Sequence, residues 1–391
     1  MYNIRLTDHI PPPDPATPLY PVVAAHYYPS WVKKEHELHP AFEGLHDYPE
    51  RTPLCGYYDG DSPVFQDLEI KWALEHGVNC FIYCWYRKKE NMGKTVTADD
   101  LRLGETLHEG FFRALYEKQM HFAIMYEAQT RWGGTDAEDL VNNLMPFWLD
   151  NYFTRGNYLV IDNKPVLFVY DYRHQVRDAF ASACEQKKAF DACREMAKAH
   201  GFDGLLIAVE YRHDDLDAWD DYKARGYDFS FAYCWGLKGA AKTDEPDDLI
   251  EAQMRKMTAR AARDPRYFVP TASCMWDPSP RYKTMPEMYK PEGAFNWKLP
   301  PKDFRRLLER IRSLTETLPP DAVARKLVML DNWNEWDEGH YLLPSAGDGF
   351  GYLQAVREAW TKRDNLPDYR MPEDYACLNL NTMWSIPDFS R

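Results

Sequence analysis

Residues 326–340 read Lys326-Leu327-Val328-Met329-Leu330-Asp331-Asn332-Trp333-Asn334-Glu335-Trp336-Asp337-Glu338-Gly339-His340. The opening run, Lys326 to Asn332, is apolar at most positions, long enough for a strand covered on both faces and too short for a helix. A dense polar cluster follows, and from near Gly349 an amphipathic stretch of helical period. Strand, polar turn and helix make one βα unit. Working outward, the same unit recurs from strands Val22 to Tyr28, Val78 to Trp85, His121 to Glu127, Pro165 to Tyr170, Gly204 to Glu210, Asp228 to Trp235 and Tyr267 to Met275. The other helices are expected to begin near Ser62, Gly104, Asp136, Asp178, Asp214, Pro246 and Pro301, several of them residues that favour helix starts. Eight such units predict an α/β (β/α)8 TIM barrel, which needs about 250 residues. The 391 residues leave a surplus for extended loops on the C-terminal face and for the two ends. The expected organisation is a single catalytic barrel domain with its core at about 22–363, an N-terminal lead-in 1–21 and an irregular surface tail 364–391. A doubly wound open sheet competes, but no strand leads into GxGxxG or GxxxxGK, and the turn after Tyr28 reads Pro29-Ser30-Trp31.

Sixty-one acidic against 47 basic side chains give a net charge of −14. Such a surface repels phosphate backbones and anionic headgroups, so nucleic acid and membrane are not expected partners. No stretch approaches the roughly 18 apolar residues of a membrane span. Met1 to Ile10 lacks the apolar centre of a signal peptide, so the expected location is cytoplasmic as the sequence stands, or periplasmic or secreted if a leader was removed. The 8 cysteines form no CxxC pair and read as free thiols, with Cys80, Cys84, Cys234 and Cys274 packed inside strand runs. Aromatic residues reach 15 %, and their broad apolar faces with polar edges suit a sugar ring. The expected partner is therefore an oligosaccharide or polysaccharide substrate.

In a barrel the site forms at the carboxyl ends of the strands. The residues there are His26, Tyr27 and Tyr28; Trp85 and Tyr86; Glu127; Tyr170 and Asp171; Glu210; Trp235; Trp276 and Asp277; and Asn332 to Glu338, including Asn334, Glu335 and Trp336. Carboxylates with aromatic platforms are what glycosidic bond cleavage requires: one acid protonates the leaving oxygen while another stabilises or activates attack at carbon. Glu335 and Glu338 are the proposed catalytic pair and the others substrate contacts. Residues three apart point to opposite faces of a strand, so a shared substrate demands that the backbone turn here. A turn could bring the carboxyls near the roughly 5–5.5 Å of retaining enzymes and a straighter path near the inverting 6.5–9.5 Å, and the sequence leaves both open. The competing reading is a solvated acidic turn between two packed tryptophans. The long Pro- and aromatic-rich segment from Asp277 to Pro300 has the length of a loop that shapes a binding site.

No EF-hand loop, HExxH or paired-His motif occurs, and no catalytic metal or cofactor is expected. His26 reads as a hydrogen-bonding side chain rather than a ligand. Serine acyl transfer lacks its GxSxG turn, with Ser273 inside an apolar run.

Several separated segments resemble one family. They are His26-Tyr27-Tyr28-Pro29, Phe81 to Tyr86 ending Cys84-Trp85-Tyr86, Lys164 to Tyr170, Trp276-Asp277-Pro278-Ser279-Pro280-Arg281, and Asn334-Glu335-Trp336-Asp337-Glu338-Gly339 with Gly349 to Tyr352. Together they look like the WbsX-type branch related to glycoside hydrolase family 99, the endo-α-mannosidase family. The resemblance covers roughly 22–356 and departs at Met125 to Trp132. It implies a retaining hydrolysis in which Glu335 assists the sugar's own 2-hydroxyl to attack the anomeric carbon, Glu338 serves as general acid and base, and a 1,2-anhydro sugar forms between them. Glu127, Trp85 and Tyr28 would then touch substrate. The expected function is a glycoside hydrolase cleaving α-linked glycan, with a glycosyltransferase of polysaccharide biosynthesis or a non-catalytic glycan-binding barrel as alternatives.

Overall fold

In the computed structural model the described residues are 10–32, 40–127, 134–171, 176–237, 239–241, 244–291 and 296–362. The expected tail 364–391, with Cys377, and the start of the lead-in lie outside them. Eight parallel strands form the barrel wall: β1 (Val22–Tyr27), β2 (Cys80–Arg87), β3 (His121–Glu127), β4 (Lys164–Tyr170), β5 (Leu206–Glu210), β6 (Phe229–Phe231), β7 (Thr271–Ala272) and β8 (Leu327–Asn332). They pair in the order β6-β5-β4-β3-β2-β1-β8-β7. A parallel bridge between Ser230 and Phe268 joins the two ends. At that seam Ser230 N–H donates to the Tyr267 carbonyl at 3.0 Å and Val269 N–H to the Ser230 carbonyl at 2.9 Å. The (β/α)8 architecture expected from the sequence is the one found.

The interior is aromatic. Phe231 of β6 packs on Phe168 of β4 at 5.2 Å between ring centroids and on His26 of β1 at 5.6 Å. Neither β4 nor β1 neighbours β6, so both contacts cross the barrel. Successive strand residues face opposite ways, so Tyr27 points outward, where its hydroxyl donates to Glu69 of the helix Pro63–Glu75 at 2.6 Å. Among the described residues no helix is long and apolar enough to cross a membrane.

The elements follow the local sequence with instructive exceptions. The helices near Ser62, Pro246 and Pro301 begin at Pro63, Pro246 and Pro301, the first with Ser62 as its cap. The helix expected near Asp178 starts at Ala183, because Ser182 accepts from Glu185 N–H at 3.1 Å while the Glu185 carboxylate accepts from Ala181 N–H at 2.5 Å. Those two bonds at the Ser182 cap outweigh a lone Asp. The helix expected near Asp214 starts at Ala218, and the one near Gly104 is a wide turn over Thr106–Gly110. The runs Asp228 to Trp235 and Tyr267 to Met275 give the barrel wall only the short β6 and β7. The seven cysteines among the described residues are free thiols, those of the strand runs buried.

Candidate active site

β8 carries the site because its regular path breaks twice. Opposite β1 the register shifts between Ala25, paired with Leu330, and His26, paired with Asn332, so that Asp331 is an extra residue. Such a bulge re-aims the chain beyond it. After Asn332 the backbone folds into a hairpin pairing Asn334 with Tyr341 and Glu335 with His340. Its turn needs Gly339 at φ +64°, where a Cβ would lie 2.4 Å from the Asp277 carbonyl oxygen. The turn that a shared substrate demands is therefore supplied by a hairpin.

The hairpin brings Glu335 and Glu338 together, at 4 % and 7 % exposure. A solvated acidic turn is excluded by that burial. One oxygen of each, with a ring nitrogen of His340, lies within 4.8 Å of the others. His340 Nε2 sits 2.9 Å from Glu335 Oε2 and 3.3 Å from Glu338 Oε2, and Nδ1 sits 2.7 Å from Asp331 Oδ1. Burial disfavours a charged imidazole, but Asp331 and the two glutamates outweigh it and push the proton affinity of His340 well above its ordinary value. Glu335 Oε2 also accepts from the Tyr233 hydroxyl and from Asn332 Nδ2, the latter at 3.0 Å.

Arg281, from the segment after β7, is the second cation. Its Nε and Nη2 donate to Asp337 at 2.8 and 3.0 Å, Nη2 also to Glu335 Oε1 at 3.0 Å, and Nη1 to Glu338 Oε1. Tyr289, eight residues on, donates its hydroxyl to the same Glu338 oxygen. Burial alone would raise Glu338, yet the Arg281 charge, His340 and Tyr289 hold it down to about 2. Glu335 moves the other way, raised by burial and by the neighbouring Glu338 carboxylate. One member of the pair favours the ionised form and the other the protonated form, the reverse in this resting site of the roles that the family 99 resemblance implies.

The mouth around the pair holds four partly exposed aromatics, Tyr28, Tyr86, Tyr170 and Trp276. Arg281 lies 5.8 Å above the Tyr28 ring, and Trp276 packs on His340 at 5.1 Å. Glu127 pairs in register with Tyr170 and, after burial, is among the charges that raise the proton affinities of Cys84, Tyr86 and Tyr170. Glu210 stands at the same end, ion-paired with Arg212 at 2.7 Å and accepting from Tyr233 N–H at 3.3 Å. Asp277 anchors the loop root, its carboxylate and carbonyl both held by Arg51.

Other expected contacts serve the scaffold. Tyr27 and Trp85 occupy outward positions of their strands, Trp85 donating to the Tyr152 hydroxyl at 2.9 Å. Trp235 lies beyond the end of β6, donating to the Thr271 carbonyl at 2.8 Å beneath Arg260. Trp336 donates to Tyr58 at 3.0 Å, and Asn334 braces Tyr28 N–H at 2.8 Å. Asp171 accepts from Val176 N–H at 2.7 Å and is pushed up to about 7 by burial. Reading strand ends in order counts both faces, whereas alternation sends every second side chain outward. Tyr233, Arg281, Tyr289 and His340 were not among the candidates. Tyr233 follows Phe231 at the period of the inward face, which is the signal that could have found it.

His26 is fully buried against Tyr233 at 4.7 Å. Burial first, then the His340 charge, lowers it from 6.5 to about 3. The unfolded chain takes up this proton below about pH 6.5 and the fold only near 3, so the contribution is complete above 6.5 and is lost as the pH falls toward 3. In urea unfolding between pH 6 and 4, the wild type should lose up to about 1.4 kcal/mol per pH unit more than His26→Asn. Equal slopes would refute a neutral buried imidazole.

Among the described residues, Glu335, Glu338 and His340 are the group whose donor atoms could close on a cation. The Arg281 guanidinium and the Tyr233 hydroxyl already meet the same carboxylates.

A family model described as Glycosyltransferase WbsX matches residues 118–356, from β3 through the hairpin into the helix Gly351–Trp360. The chain belongs to the WbsX family. Two curated relatives, both named WxcX and uncharacterised, come from Xanthomonas campestris pv. campestris, strains ATCC 33913 and B100. They are 23 % and 22 % identical over 352 and 347 residues, each match covering 83 % of this chain and 45 % of the relative. The WbsX chain thus spans less than half the length of those relatives. Among solved structures it is similar to the GH99 endo-alpha-mannosidase from Bacteroides thetaiotaomicron, with TM-score 0.55, 15 % identity, and 87 % of this chain and 96 % of that one covered. A chain described as a glycoside hydrolase-like protein gives TM-score 0.59 at 15 % identity, with 92 % and 99 % covered. At these identities the shared property is the barrel.

Proposed function

We propose that this WbsX barrel cleaves α-linked glycan, with Glu335 and Glu338 as the catalytic pair. The observation carrying this reading is the convergence of two buried glutamates within 4.8 Å, beside partly exposed aromatics, at the carboxyl end of the wall. Tyr28, Tyr86, Tyr170 and Trp276 supply faces for the sugar's CH surfaces, and Glu127 accepts from its hydroxyls. In the route that the family 99 resemblance implies, Glu335 draws the proton from the 2-hydroxyl as that oxygen attacks the anomeric carbon. Glu338 gives its proton to the departing oxygen. Water then attacks the anomeric carbon and breaks its bond to the 2-oxygen; Glu338 takes the water proton and Glu335 returns its proton to the 2-oxygen, so both groups regain their starting states with retention overall. A similar fold among glycoside hydrolases supports this reading, as does the family 99 resemblance of the segment Asn334 to Gly339.

The family's description favours a second reading, transfer from an activated sugar. Incubation with a panel of α-linked oligosaccharides and polysaccharides, read by chromatography of released fragments, separates the two. Hydrolysis predicts fragments with no nucleotide sugar added. Product only when a nucleotide sugar is supplied would replace hydrolysis by transfer, and calorimetric glycan binding without product under either condition would leave a binding barrel.

A further inference from the structure

We propose that Arg281 is a positioning residue for the glutamate pair: its fork holds Glu335 and Glu338 in one geometry and places its charge against the Glu338 carboxylate. The inference deepens the glycosidase reading and rests on it. The guanidinium is fixed from three sides. Asp337, fully buried, takes Nε and Nη2 at 2.8 and 3.0 Å and so sets the plane of the fork. That leaves Nη1 on Glu338 and the remaining Nη2 proton on Glu335. Nη1 also donates to the Tyr289 hydroxyl at 2.9 Å, so every N–H of the group is used and none is left for a substrate.

The backbone carrying Arg281 is equally constrained. Its loop is closed at the root by an antiparallel ladder of Met275–Trp276 with Trp297–Lys298. Asp277 N–H donates to the Glu338 carbonyl at 2.9 Å, clasping the loop to the hairpin turn. Arg51 holds the Asp277 carbonyl at 2.8 Å and its carboxylate. The cation and the glutamates are thus parts of one braced unit rather than a surface pair formed by chance.

Three observations separate this fork from a purely structural ion pair. It touches both members of the pair, it gives Glu338 an edge shared with Tyr289, and it gives Glu335 a single donor. The charged groups facing Glu338 are Arg281, His340 and Glu335, while Tyr289, Tyr233 and Tyr170 face it uncharged. His340 serves both glutamates through one nitrogen, and Tyr233 and Asn332 add donors on Glu335, so Arg281 with Tyr289 is what stabilises charge on the Glu338 side. In the resting site that fork favours charge on Glu338. The implied route needs its proton there, so the fork also sets how far substrate must shift the proton before the leaving group departs.

The test is a carbon-13 NMR titration of the full chain labelled at glutamate Cδ, with the Glu338 signal assigned by its loss in E338Q. Removing the fork in R281M should move the Glu338 midpoint upward by roughly one to three pH units. R281K, a point charge that cannot span three carboxylates, should move it by less. Should R281M fail to fold, as judged by near-UV dichroism, R281K carries the test alone. An unchanged Glu338 midpoint in the folded variants overturns the proposal. The titration needs no substrate, so a shift without product from any glycan would sink the glycosidase reading and leave the role of Arg281 standing. Where product forms, the acid limb of the wild-type turnover profile should move to higher pH in R281K, a displacement that loss of packing alone would not give.

Discussion

Replacing Glu338 by Gln should lower turnover on a cleavable glycan by about 1,000-fold or more, with Glu335→Gln falling in the same range. That factor corresponds to about 4 kcal/mol of transition-state stabilisation. Gln keeps the size of the side chain and an oxygen that can accept from Arg281 Nη1 and the Tyr289 hydroxyl. It cannot give or take the proton. KM should change far less, because the proposed ring contacts are Tyr28, Tyr86, Tyr170 and Trp276 rather than the pair. The double variant should cost little more than either single one, as expected of groups that act as a unit. Near-normal turnover in Glu338→Gln, in a protein that melts as the wild type does, would remove Glu338 from the chemistry.

The second large effect concerns stability. Arg87, the last residue of β2, is fully buried and ion-paired with Asp139, Nη1 to Oδ1 at 2.9 Å and Nη2 to Oδ2 at 2.5 Å. Its Nη2 also donates to the Gly134 carbonyl at 2.8 Å, tying the end of β2 to the chain that enters the helical segment after β3. Asp139 accepts further from Thr135, Asn143 and Gly93 N–H. Burial would raise its carboxyl, but Arg87 outweighs burial and holds it below the usual range. Arg87→Met would leave that carboxylate buried without its cation, which costs about 3–5 kcal/mol. Urea unfolding at neutral pH should show that loss, and Arg87→Met with Asp139→Leu should regain part of it. A loss under about 1 kcal/mol for the single variant would mean that solvent reaches the pair.

The barrel was legible because each wall segment is a short apolar run set off by polar residues; His121–Glu127 matches its expected bounds at both ends. The glutamate pair was legible because Glu335 and Glu338 fall directly after the last such run. The side chains that tune the pair were not. Arg281 and Tyr289 lie in a loop with no periodicity to read, and their relation to Glu338 is set by the hairpin, the Asp277 clasp and the Arg51 anchor, all contacts between distant residues. Trp85 and Trp235 misled for a different reason. An indole at a strand end looks like a sugar platform, but β2 points Trp85 at Tyr152 and β6 has ended before Trp235.

The closing seam between β6 and the β7 segment has a consequence for how this barrel breathes. The wall there is three residues long on one side and two on the other, helped by the bridge at Phe268. Few backbone bonds cross this line, and Trp235, Thr271 and Ser273 add side-chain bonds that must also be given up to part it. Tyr233 hangs from the β6 lip, while Arg281 is clasped to the hairpin on the other, so a transient gap would withdraw a donor from Glu335 and leave Glu338 with its own.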